Sequence, residues 1–317
     1  MVQKYKSEDF RLIYYLKEAF LKRESLFYFK YTPNMIRRTS FLTLLIGLLM
    51  LSCSSTQQTA NQRKNKKAYL QLYSVREDIK KDFKGTIAAV ASAGYAGVET
   101  AGYSDGKFYG LAPAEFKSEI NALGMEVLSS HAGQSLPEDV KAADWNKIWS
   151  WWDTAIAAHK EAGMKYIVTA WMPTPKTLAD LKVYCDYYNK IGEKCNAAGL
   201  KFGYHNHAFE YNKIEDEVML DYMLRNTDPR TVIGEKSPVE YFHKYPGRFE
   251  LLHLKDQKEL GQSGMVGFDA ILNNVATAGA KYMVVEVEKY NYKPLESIKM
   301  SYDYLKNNPL YKADYSK

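Results

Sequence analysis

From Tyr69 to the C-terminus, short runs of β-branched and aromatic residues alternate with stretches whose apolar positions recur at helical spacing. The first strand is predicted at Tyr69–Ser74, followed by a helix over 83–93 that Gly94 stops. Strand two is Gly97–Thr100, with a helix over 113–123 closed by Gly124. Strand three is Glu126–His131, before a long helix over 145–162 that Gly163 ends. Strand four is Lys165–Ala170, and the helix over 177–198 meets Gly199. Strand five is Lys201–Asn206, with a helix over 217–225 behind it. Strand six has only Thr231–Gly234 available, ahead of a short helix over 238–244. Strand seven is Phe249–Leu254 and strand eight is Tyr282–Val287. Helices opening at Phe268 and spanning 295–306 follow them.

Glycines stand where helix C-caps need positive φ. Regular alternation of β and α elements implies parallel strands. Eight such units in about 250 residues predict an α/β chain folded as a (β/α)8 TIM barrel. A doubly wound open sheet is the alternative, and no G-x-G-x-x-G follows strand one to anchor a dinucleotide.

The N-terminus reads differently. Arg37-Arg38 precedes an apolar run from Phe41 to Leu51, too short to span a bilayer as a stable helix. Leu51-Ser52-Cys53 then resembles the lipobox of bacterial lipoproteins, which implies cleavage before Cys53 and lipidation of its thiol; an ordinary secretory signal is the alternative. Residues 1–34 read as an upstream extension or as a cytoplasmic helix, residues 35–52 as the signal peptide, and residues 53–67 as a polar tether. Residues 68–317 are long enough for one large α/β domain with a sizeable core, the expected barrel. The expected location is the cell envelope, anchored to the membrane through the lipid at Cys53.

Setting the leader aside changes the charge. Of 43 Lys/Arg and 37 Asp/Glu, nine and four lie in residues 1–52, leaving 34 and 33. The net charge of +6 is therefore mostly a property of the leader, and nucleic acid is not an expected partner. Cys185 and Cys195 stand ten apart in one predicted helix, too far for a local disulfide.

Chemistry concentrates where strands end. The predicted strand ends bear Gln71, Tyr73, Glu99, His131, Trp171, His205, His207, His253, Lys255, Glu286 and Glu288. Reactive groups of this barrel class lie at those C-terminal ends. Alternation places His253 with Lys255, His205 with His207, and Glu286 with Glu288 on shared faces. Imidazoles and carboxylates converging from several strands can hold a divalent metal. Each His alone reads equally as a hydrogen-bonded structural residue, and Glu99 as a buried paired carboxylate. Four of the six His residues fall at strand ends or just beyond; His159 and His243 lie in helices, and His159 is expected at the surface without a role. Tyr103, Phe108, Trp151, Trp152 and Trp171 are core or sugar-stacking aromatics. The Gly261–Gly264 loop could hold an anion on its amides or simply link two elements.

Several segments together resemble the sugar phosphate isomerase/epimerase family, the xylose isomerase-like barrels. They are Leu70-Gln71-Leu72-Tyr73-Ser74-Val75-Arg76, Gly97-Val98-Glu99, Ser130-His131 and Tyr204-His205-Asn206-His207. Gly247-Arg248 with His253-Leu254-Lys255-Asp256, and Val285-Glu286, complete the set, and the likeness runs from 69 to about 308. It implies one divalent metal (Mn, Co, Zn or Mg) held by His205, His253 and Glu286. It also implies isomerisation or epimerisation of a sugar through an enediolate, with Glu286, Glu288 and Lys255 as the catalytic groups. Gln71, Tyr73, Glu99, His131, His207 and Trp171 would line the substrate. Related branches eliminate or hydrate keto-sugars and keto-inositols, and His205 in place of a carboxylate leans toward them.

The departure lies at strand six. The family pattern there is an apolar strand ending in a metal-binding Asp, whereas Asp228–Pro238 leaves no room for it. Strand six is expected to be truncated. Glu235 or a water would complete the metal shell, or the chain has become a sugar-binding lipoprotein without catalysis.

Overall fold

The computed structural model describes residues 67–229, 232–233 and 239–312. The extension, the signal peptide, Cys53, nearly all of the tether and Glu235 lie outside the described residues. Strand β1 (Ala68–Gln71) runs into a 3-10 turn at Leu72–Val75, then helices α1 (Arg76–Lys81) and α2 (Phe83–Ala93). Strand β2 (Gly97–Thr100) is followed by a hairpin, β3 (Tyr103–Ser104) and β4 (Lys107–Phe108), and by α3 (Pro113–Ala122). Next come β5 (Glu126–His131), α4 (Trp145–Glu161), β6 (Tyr166–Thr169) and α5 (Leu178–Ala198). Strand β7 (Lys201–Tyr204) leads to a second hairpin, β8 (Lys213–Ile214) and β9 (Glu217–Val218), and to α6 (Met219–Asn226). The chain continues through β10 (Val232–Ile233), α7 (Val239–Lys244), β11 (Leu251–Leu254), α8 (Phe268–Asn273), α9 (Val275–Ala278), β12 (Tyr282–Val285) and α10 (Pro294–Asn307).

Eight of these strands make one curled parallel sheet in the order β10-β7-β6-β5-β2-β1-β12-β11. That is the strand sequence of the expected barrel. Strand six, β10, keeps two residues, paired as Val232 to Gly203 and Ile233 to Tyr204. Among the described residues β10 does not pair with β11. Among the described residues the ring is therefore open between β10 and β11. Most of the strands are shorter than read: strand five stops at Tyr204, strand seven starts at Leu251 and strand eight stops at Val285. Strand one ends at Gln71 and its last residues turn into the 3-10 segment. The start expected for the helix over 217–225 belongs instead to β9.

Alternation along the strands sorts the core into two layers. Tyr69, Leu128, Tyr166, Val168, Leu251 and Val284 form a small cluster of their own within the sheet. Their strand neighbours Leu70, Val98, Val127, Ile167, Phe202, Leu252 and Met283 join the larger core shared with the helices. Successive strand side chains point to opposite faces, so a barrel strand serves both layers. Gly97 is part of this packing. A Cβ there would lie 2.3 Å from Glu126 O and 2.7 Å from the Tyr69 ring.

Below the small cluster, at the N-terminal ends of the strands, Glu250 accepts from Lys201 at 2.6 Å, Lys281 at 2.9 Å and Tyr166 at 2.7 Å. Lys201 opens β7 and Glu250 precedes β11, so this ion pair spans the interval that the two-residue β10 leaves thin. Cys185 and Cys195 are reduced and buried, as expected. His159 corrects an expectation. It is fully buried, its Nδ1 lies 2.6 Å from Ala155 O, and its ring packs on Tyr103 and Phe108. Phe108 and Trp152 are core, and Tyr103 and Trp151 pack against it.

Candidate active site

Above the small cluster the interior turns polar. Gln71 and Glu99 are register partners at the ends of β1 and β2. The ladder between β2 and β5 shifts register after Val98, which pairs Glu99 with Ser129. Glu99, fully buried, accepts from Gln71 Nε2 at 2.7 Å and from Ser129 Oγ at 2.6 Å. Its Oε1 also lies 2.7 Å from His253 Nε2 and 2.9 Å from His131 Nε2. The His131 contact is off the line of a hydrogen bond, and that buried nitrogen has no hydrogen-bond partner. His253 turns its other nitrogen, Nδ1, to Glu286 Oε2 at 2.9 Å. It is thus held between a carboxylate of strand two and one of strand eight.

His205 completes the layer. Its ring centroid stands 4.8 Å from that of His131 and 4.5 Å from that of His253, both edge-on. The ligand nitrogens of His131, His205 and His253 lie within 4.8 Å of one another. This set differs in one member from the one implied by family resemblance. His131 joins it, while Glu286 sits on the Nδ1 side of His253, where an orienting carboxylate stands in many metal sites.

Electrostatics follow from these contacts. Burial works to raise Glu99, but the charges of His131 and His253 and their contacts outweigh it and hold the carboxyl well below the usual range. Burial works to lower His253, and Glu99 and then Glu286 overcome it, holding the imidazole well above its ordinary value. Burial, with His253 and His131 beside it, drives His205 well below. The surroundings thus favour the charged form of His253 and the neutral form of His205. A metal ion could take the neutral nitrogen directly, and His253 Nε2 after losing its proton.

Glu210 was not singled out from the sequence. Fully buried, it accepts from Tyr204 Oη and from the His207 N–H, both at 2.6 Å, one on each side of His205. Burial is the first cause of its raised pKa. It buckles the turn that carries His205 and His207. No pattern in the polar segment Asn206–Glu210 marks it.

The other expected residues spread outward from this layer. Gln71 serves Glu99 and, through Oε1, the Tyr73 N–H at 3.0 Å, so it is a floor residue. Lys255 and Glu288 pair at 2.9 Å, partly exposed. His207 is half-buried, its Nδ1 4.0 Å from Glu210. Tyr73 and Trp171 are exposed, at 42% and 57%. The Gly261–Gly264 loop is tied back through Ser263, whose hydroxyl donates to Asp256.

The profile of a family described as Xylose isomerase-like TIM barrel matches residues 87–308. A solved structure described as a sugar phosphate isomerase/epimerase from Parabacteroides distasonis ATCC 8503 is 30% identical with a TM-score of 0.71, covering 78% of this chain and 99% of that one. A second structure of the same description and organism is 28% identical with a TM-score of 0.72, covering 78% and 96%. The inosose dehydratase of Geobacillus kaustophilus (strain HTA426) is 24% identical over 196 residues, 54% of this chain. The match spans 60% of that relative's length.

Proposed function

The chain belongs to the xylose isomerase-like TIM barrel family, and on that premise we propose a metal-dependent enzyme that isomerises or epimerises a sugar or keto-sugar through an enediolate. The observation that carries this reading is the convergence of His131, His205 and His253 within 4.8 Å, at the strand ends where such barrels keep their chemistry. The donor chemistry fits a divalent ion. Three imidazoles with a carboxylate behind one of them favour Zn over Mg among the candidates. When bound, the ion supplies a Lewis acid for a carbonyl and a neighbouring hydroxyl.

The chain's own groups divide the remaining work. Glu286 fixes the His253 ring through Nδ1 and, with Glu99 taken up by protein donors, is the carboxylate assigned to moving a proton on carbon. Lys255 and Glu288, paired at the mouth, hold substrate hydroxyls or relay that proton. His207 and Trp171 lie just beyond the ends of β7 and β6. Glu99 is saturated by protein donors, so it holds His131 and His253 in place rather than taking up protons.

Elemental mass spectrometry of the purified protein, after loosely held ions are removed, tests the metal. We expect about one ion per chain, lost together with sugar turnover in His253→Ala. Protein that stays metal-free after soaking with Zn, Mn, Co and Mg, or turnover insensitive to a chelator, would sink the reading.

A second reading is a keto-sugar or inositol lyase. It draws on the saturated state of Glu99, which leaves the working carboxylates on the strand-eight side, and on the likeness to an inosose dehydratase. Product mass separates the two, because elimination loses water and isomerisation does not.

We also propose, from residues 35–53, that the protein is an exported lipoprotein held by Cys53. Among the described residues no helix is long and apolar enough to cross a membrane. Release of Cys53→Ser from the membrane fraction would support the anchor, and its retention would count against it.

A further inference from the structure

The large apolar side chains left exposed among the described residues are Tyr73, Leu123, Trp171, Met265 and Tyr292. Leu123 caps the C-terminal end of α3. Three of the others, Tyr73, Met265 and Tyr292, lie on the segments that follow β1, β11 and β12. Those strands are neighbours in the sheet, so the three residues leave it along one arc of its C-terminal rim. Exposed apolar groups gathered on one rim mark a ligand contact more often than scattered ones do.

Tyr73 is also held still. The Arg76 guanidinium sits 4.2 Å from its ring centroid. Arg76 donates to Tyr73 O at 2.9 Å and to Tyr290 Oη at 3.2 Å. Tyr290 in turn donates to Ser74 O at 2.9 Å. The loops after β1 and β12 are thereby stitched together beneath an aromatic ring that remains 42% exposed. A ring already fixed loses little freedom when a ligand stacks on it. The Lys255–Glu288 pair, which follows β11 and β12 on the same rim, offers donors and acceptors.

The arc stands outside the reacting layer. Tyr73 is two residues beyond Gln71, and Glu288 and Tyr292 are two and six beyond Glu286. We propose that it is a second sugar subsite, which takes an additional ring of a glycoside or disaccharide while the first ring lies over the imidazoles. Flat rings with a polar edge suit the C–H face of a pyranose. Ammonium and carboxylate groups suit its hydroxyls. The enzyme would then prefer a sugar conjugate over a free monosaccharide. This rests on the reading of the site as a sugar site, but not on its metal or its turnover.

Equilibrium binding of glucose, methyl glucoside, cellobiose and maltose to the intact protein, with chelator present, tests it by calorimetry or saturation-transfer NMR. At least one disaccharide should bind about tenfold tighter than glucose, the worth of one stacking contact. Tyr73→Ala should bring that advantage to within about threefold, and Tyr73→Phe should keep it. Equal affinities, an advantage untouched by Tyr73→Ala, or no binding of any of the four would overturn the proposal. Disaccharide preference without metal or conversion would leave the subsite standing and remove the isomerase. Conversion without such preference would do the reverse.

Discussion

The two ends of the sheet interior each gather donors around one carboxylate, and the donors differ in kind. At the N-terminal end Glu250 meets two lysines and a tyrosine. At the C-terminal end Glu99 meets an amide, a hydroxyl and two imidazoles. An ammonium offers protons and no lone pair. The lower cluster can only be an ion pair, and it joins strands five and seven where strand six is thin. An imidazole can exchange its proton for a metal ion. The upper cluster is therefore stable as it stands and also convertible into a ligand site. Burial sharpens the contrast, since the Glu99 side chain is 0% exposed and that of Glu250 is 15% exposed.

The largest effect is expected at the upper end. Glu99→Ala leaves Glu286 as the one carboxylate on His253 and strips the partner from the Gln71 and Ser129 donors in a fully buried site, which should cost about 3–5 kcal/mol of stability. Urea titration of the metal-free protein measures it. A loss below about 1 kcal/mol would mean that water already solvates the layer, and the contrast between the ends would fail.

A buried imidazole with no carboxylate to answer it gives the next test. Burial pulls His159 down to about 4, and its backbone contact with Ala155 only partly offsets this. Between that value and the ordinary 6.5, the unfolded chain takes a proton that the folded chain refuses. Stability from this residue is thus complete above about pH 6.5 and falls away as pH drops toward 4, by about 3 kcal/mol. His253, flanked by Glu99 and Glu286, is shifted the opposite way. His159→Phe should flatten the acid limb of a plot of melting temperature against pH; an unchanged limb would place the lability elsewhere.

Much of this was legible in the residues. The apolar runs located the strands of the sheet, and the glycine stops located the ends of α2 and α5. The strand-end histidines and carboxylates identified the layer. What escaped has physical reasons. The first hairpin turns on Asp105-Gly106, both at positive φ, a two-residue signal that falls outside the strand and helix periodicities. The second hairpin turns on Glu215 and Asp216, both at positive φ without glycine, so composition gives no sign of it. His159 follows Ala155 by four and Ile156 by three, which put it on the buried stripe of its helix. Its polarity points to the surface, while its position points to the core. The joining of His131 to the metal-capable set depends on a register shift after Val98, which sequence alone does not reveal.

The smallest effect is expected at the lower end. Glu250→Ala removes the shared partner of Lys201, Lys281 and Tyr166, yet those ammonium groups are 38% and 40% exposed and can turn to water. The loss should be about 1–2 kcal/mol, well short of that for Glu99→Ala. It should leave metal content unchanged, because Glu250 touches none of the three imidazoles. A loss equal to that at Glu99 would mean that the Lys201–Glu250 pair is a principal clamp across the thin strand. The two ends would then divide the labour differently: the lower would hold the open ring together, and the upper would owe its order to that clamp.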